Sequence, residues 1–98
     1  MLTLDDKQTL QTIYHKLAPM ATSESAFTSM ENLFYTALQL ARNYGSDQRE
    51  NLLLRDFIEV KETVYSETQK HYSKSRQREL SIGHFKTAFK KKLSIWIK

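Results

Sequence analysis

Gly83-His-Phe-Lys-Thr-Ala-Phe-Lys-Lys-Lys-Leu-Ser-Ile-Trp-Ile-Lys98 decides how this chain folds, because an apolar helical stripe and a dense positive charge share one short segment. With Ile82 before it, apolar residues fall at Ile82, Phe85, Phe89, Leu93 and Trp96, steps of three and four that line one side of an α-helix, while Lys90, Lys91 and Lys98 point elsewhere. The spacing predicts a helix over about 81–97, with Ser81 as its cap. Such a stripe must be covered, and three more amphipathic segments upstream can cover it.

The first spans about 3–18. Thr3 can cap free amides, Asp5 and Asp6 lie at the positive end of the helix dipole, and Leu10, Ile13, Tyr14 and Leu17 repeat at helical spacing until Pro19 stops the helix. The second spans about 24–44 and carries Phe27, Met30, Phe34, Ala37, Leu38, Ala41 and Tyr44 on a broad apolar face. Thr28 and Glu31 have capping-box spacing there, with Ser23 or Ser25 as earlier starts, and Gly45 suits the left-handed turn that ends helices. The third, about 47–75, opens on the capping-box spacing of Asp47 and Glu50. It is dense in Leu52, Leu53, Leu54, Phe57, Ile58, Val60, Val64 and Tyr65, and turns polar from Glu67 onward. Two glycines and one proline in 98 residues leave few turn signals, which argues for a few long elements instead of many short strands. The fold class expected is all-α: one domain, a small bundle of about four helices joined by short connectors.

Composition sets the function classes. Hydrophobic residues at 40% and charged ones at 27% describe a folded domain, not a disordered chain. Without cysteine there is neither a disulfide framework nor a thiolate metal site, and the first residues lack the basic and apolar regions of a signal peptide, so a cytoplasmic location is expected. His15, His71 and His84 are far apart and have no His-Glu-x-x-His arrangement, so no metal site is predicted. Two isolated glycines cannot form a phosphate-cradling loop, and no cofactor signature is present. The carboxylate pairs Asp5/Asp6 and Asp56/Glu59 are better explained as helix-start and helix-surface residues than as an acid–base couple. Tyr65, His71 and Tyr72 sit in a basic region and could stack on bases, but Tyr65 and Tyr72 are two helical turns apart and suit a core stripe better. The expectation is a protein that is not an enzyme.

Charge is distributed unevenly. Residues 1–60 hold five basic and eight acidic side chains, a net of −3, whereas residues 61–98 hold ten and three, a net of +7. Such polarity favours oriented attraction to a polyanion. The residues expected to make that contact are Lys70, Lys74, Arg76, Arg78, Lys86, Lys90, Lys91 and Lys92. The reading is a small helical binding or regulatory protein whose basic C-terminal half meets an acidic partner, with nucleic acid placed first. The alternative is a protein–protein interaction module, of adaptor, inhibitor or immunity type, with no nucleic-acid role. Membrane-surface attachment ranks last, because the same aromatics cannot both close the core and enter a bilayer. The broad apolar faces of the second and third helices also leave a homodimer open.

The segment Ser81–Ser94 is similar over its length to the recognition-helix region of AraC-type helix-turn-helix regulators, in its Ser, aromatic, Phe-Lys succession. The scaffold helix of that family is not recognisable in Glu67 to Glu79, and the family's glycine after Phe-Lys is missing, so the likeness assigns no family.

Overall fold

A computed structural model describes residues 2–71 and 76–97 and shows a compact all-α bundle, with four helices and no strand among the described residues. Helix α1 (Leu4–Leu17) starts as expected, with the Asp6 amide donating to Thr3 Oγ1 at 3.1 Å. Helix α2 (Glu24–Arg42) is capped by Ser23, whose Oγ accepts from the Ala26 amide, so Thr28 lies inside the helix and caps nothing.

The third helix begins at Leu52, not at residue 47. Asp47 heads a separate turn, accepting the Asn51 amide on its carbonyl at 2.8 Å and the Arg49 amide on its carboxylate at 2.9 Å. Asn51 is the cap: its Oδ1 accepts from the Leu54 amide at 3.0 Å, while its Nδ2 donates to the carbonyls of Ala41 at 2.8 Å and Gly45 at 2.7 Å. One buried side chain thus starts α3 and holds the end of α2, with Gly45 turning the chain at φ +114°.

Helix α3 is a rod of three pieces: Leu52–Val60, a wider π turn over Lys61–Tyr65, and Ser66–Gln69. The π turn inserts one residue into the helical repeat. Burial therefore steps from Val60 to Tyr65, and Val64, which an uninterrupted helix would bury, is only partly covered. The rod ends at Gln69, short of the expected 75, and Tyr72 and Lys74 lie outside the described residues. Helix α4 (Arg76–Trp96) is already helical five residues before the expected start, which leaves Ser81 buried in its interior instead of capping it.

Consecutive helices run antiparallel, as three contacts show. The Tyr44 hydroxyl at the end of α2 reaches Asp6 at the start of α1; Tyr65 late in α3 meets Glu31 early in α2; Trp96 at the end of α4 meets Asp56 early in α3. Helix α4 closes the ring by packing on α1, and also touches α2 across the middle. The core centres on Phe34, whose ring lies 5.1 Å from both Phe85 and Phe89 and 5.8 Å from Tyr65, edge-on to the two phenylalanines. Burial of each such ring contributes roughly 1.5–3 kcal/mol of transfer free energy, so the α4 stripe is committed to closing the bundle.

Candidate functional site

The basic residues of the C-terminal half separate into two groups once the fold is in place. One group is consumed by the structure. Arg78 is largely buried at the head of α4, where its guanidinium grips Glu24 at the start of α2, donating from Nη2 at 2.9 Å and from Nε. Its Nη1 also donates to the Thr68 carbonyl at 3.0 Å, and its plane sits 5.0 Å above the Phe27 ring. Three helices meet on one side chain. The hydrogen bond from Arg78 holds the Glu24 carboxyl below its ordinary pKa and lifts the guanidinium above its own.

Lys92 plays the matching role near the other end of α4. Its ammonium donates to Glu59 at 3.1 Å and lies 3.6 Å from Asp56, whose other oxygen accepts the Trp96 indole N–H at 2.9 Å. The hydrogen bond to Glu59 raises the Lys92 pKa above the usual lysine value, outweighing the opposing effect of burial. Lys70, on the exposed end of α3, pairs with Glu67 at 3.4 Å. Each of these three cations faces a carboxylate, and its field on a distant anion is reduced accordingly.

The second group keeps its charge. Arg76 and Lys91 are exposed on α4, and neither makes an ion pair among the described residues. Lys86 donates to the Met20 carbonyl, which satisfies a hydrogen bond without neutralising the ammonium. Lys90 sits 5.8 Å from the centroid of the Tyr14 ring, a cation–π contact that also leaves its charge intact. Lys74 lies outside the described residues. Four of the eight expected residues, Arg76, Lys86, Lys90 and Lys91, therefore spread positive charge along the solvent side of one helix, with Lys86 and Lys90 toward α1 and Lys91 in a groove beside Glu59 and Thr63 of α3. Leu80 and Ile95, each about half exposed, share that helix surface.

Other chemistry finds little to work with. Among the described residues no three His, Asp or Glu side chains converge on a point where a metal could bind, and no helix is long and apolar enough to cross a membrane. Tyr65 is the most perturbed titratable group among the described residues. Burial, and then its hydrogen bond to Glu31, pushes its pKa far above that of an ordinary phenol, so it serves as a fixed donor that also meets the Tyr35 hydroxyl at 3.2 Å. Sequence reading missed this network because its partners, 30 and 34 residues apart, share no motif. It also missed Tyr14 and Thr22, which only the fold brings beside α4. Comparison with models of known protein families, with curated proteins and with solved structures finds no match.

Proposed function

We propose that this protein is a non-catalytic polyanion-binding module that contacts nucleic acid through the outer face of α4. The observation that supports this reading is a row of four cations along one helix of 21 residues, Arg76, Lys86, Lys90 and Lys91, that have no carboxylate partner among the described residues. At 1.5 Å per residue the row is about 22 Å long, the axial length of about six successive phosphates on one strand. Phe85, Phe89 and Leu93 are fully buried, so the apolar stripe of the same helix is occupied and unavailable to a bilayer.

Electrophoretic titration with generic duplex and single-stranded DNA and RNA at two salt concentrations tests the reading. With four phosphates neutralised, log K should fall with log salt at a slope of about −3.6 for duplex, a loss of about 150-fold between 50 and 200 mM salt. Absence of salt-sensitive binding to every nucleic acid refutes the proposal.

The exposed Leu80 and Ile95 favour a second reading, an acidic protein partner, since apolar side chains have little to gain against a phosphate backbone. A stoichiometric protein that survives nuclease treatment in a pull-down, and is lost on Leu80→Asp, would support it. Recovery of nucleic acid alone would reject it.

A further inference from the structure

The strip of free charge is not flat. Where α4 passes the connector between α1 and α2 there is a cleft of about 440 Å³, lined by Thr22 from the connector and by Glu79, Gly83, Lys86, Thr87 and Lys90 from α4. Gly83, Lys86, Thr87 and Lys90 share one face of the helix as two neighbouring i, i+4 pairs, Gly83 with Thr87 and Lys86 with Lys90. The Lys86 ammonium has three donors and gives one to the Met20 carbonyl, and Lys90 rests over Tyr14, so both retain N–H groups for a further acceptor. The hydroxyls of Thr22 and Thr87 make no hydrogen bond among the described residues. Thr9, Thr12, Thr36, Thr63 and Thr68 return their hydroxyls to the carbonyl four residues back, whereas Thr87, like Thr28, does not among the described residues.

Gly83 adds a separate observation. A glycine inside a helix is destabilising relative to alanine, and it is usually kept for a left-handed φ or a tight approach. Neither applies here: a Cβ at Gly83 would meet only Thr22 Cγ2 at 3.6 Å, an ordinary contact, and Gly45 is the glycine with positive φ. The missing methyl leaves open the part of the cleft between α4 and Thr22.

We propose that this cleft is a phosphate-binding site, in which Lys86 and Lys90 supply charge and Thr22 and Thr87 supply hydroxyl donors to the oxygens of one phosphate group. Glu79 at the rim is the one carboxylate there, and it opposes binding. The proposal deepens the nucleic-acid reading, in which the group would be a backbone phosphate; a free phosphate ion or monoester presents the same oxygens.

The test is titration of inorganic phosphate into the ¹⁵N-labelled full chain at constant ionic strength, followed through amide resonances. Saturable shifts centred on Thr22, Gly83, Lys86, Thr87 and Lys90 are expected. Lys90→Ala should weaken the fitted affinity by about tenfold, Thr87→Val should weaken it by less, and Glu79→Gln should tighten it. Gly83→Ala should raise Tm while weakening phosphate binding, a combination that a merely structural glycine would not give. Shifts that never saturate, or that spread over all lysine-bearing segments, overturn the proposal. So does a Gly83→Ala protein with unchanged affinity. A single-stranded oligonucleotide in a second arm separates the two claims. If it binds while inorganic phosphate fails to perturb the cleft, the cleft proposal falls and the nucleic-acid reading stands; if phosphate saturates the cleft and no oligonucleotide binds, the reverse holds.

Discussion

Replacing Arg78 by alanine removes a residue that a charge map alone would place on the binding surface, and the structure predicts that stability, not binding, will suffer. The guanidinium donates to the Thr68 carbonyl at 3.0 Å and lies 3.4 Å from the His71 carbonyl, so its loss strips partners from the C-terminal end of α3 at about 1 kcal/mol for each well-made bond. Loss of the cation over the Phe27 ring, 5.0 Å away, adds about 0.5–1 kcal/mol. The contact to Glu24 adds little, since that carboxylate is 41% exposed and water screens it. The expected cost is about 2–3 kcal/mol, which for a domain of this size lowers Tm by more than about 10 °C. Lys91→Ala is the control: exposed and without an ion pair among the described residues, it should change stability by less than about 0.5 kcal/mol yet reduce the salt slope of nucleic-acid binding by about one. Urea melts and salt-dependent titrations of the two variants make the comparison. If Arg78→Ala unfolds at the wild-type midpoint, or weakens binding as much as Lys91→Ala does while remaining fully folded, the division of the basic residues into structural and free is wrong.

Three further outcomes follow from the same geometry. The folded-state pKa of Glu24 is depressed by its hydrogen bond to Arg78, so the pair's contribution is present above the ordinary carboxyl value of 4.5 and is lost as pH falls below it; Glu24→Gln should flatten that part of an acid-denaturation profile, and an unchanged profile would contradict the assignment. Asn51→Ala removes the α3 cap and orphans the buried Ala41 carbonyl, so chemical denaturation should show a loss of about 2–3 kcal/mol with an unchanged m-value; a loss below about 1 kcal/mol would mean that Asp47 can take over as the cap. Gly45→Ala has open space around the new methyl, yet φ +114° is costly for any residue with a Cβ, so a thermal melt should report destabilisation of about 1–2 kcal/mol, and a neutral result would show that the turn can relax.

The positions that could be read in advance were those governed by nearest neighbours on a helix. Leu10, Ile13, Leu17, Phe27, Met30, Phe34, Phe85, Phe89 and Leu93 repeat at three and four, and all are buried. The caps were less legible, because serine, threonine, aspartate and asparagine are nearly equivalent at a helix start; Asn51 prevails over Asp47 because its amide alone can also donate to the end of α2. The π turn left no mark that spacing could reveal. Val64 and Tyr65 are both apolar neighbours, and the wider turn gives Tyr65 the place beside Phe34 and Phe85, with its hydroxyl reaching Glu31.

By itself the chain determined an all-α bundle, its apolar faces and the concentration of positive charge toward the C-terminus, since each depends on residue type and local period. Which cations remain available was decided only by tertiary structure. Arg78 and Lys92 lie on the same helix as Lys86, Lys90 and Lys91; spacing sets them seven residues either side of Phe85, toward the buried stripe, but does not say which carboxylates meet them there. Packing carries Glu24 to Arg78 from 54 positions away and Glu59 to Lys92 from 33, while among the described residues Lys86 meets a carbonyl and Lys90 an aromatic ring. Neutralisation falls off with distance in space, not along the chain, so the charge this helix can offer a partner is set by what the fold brings against it.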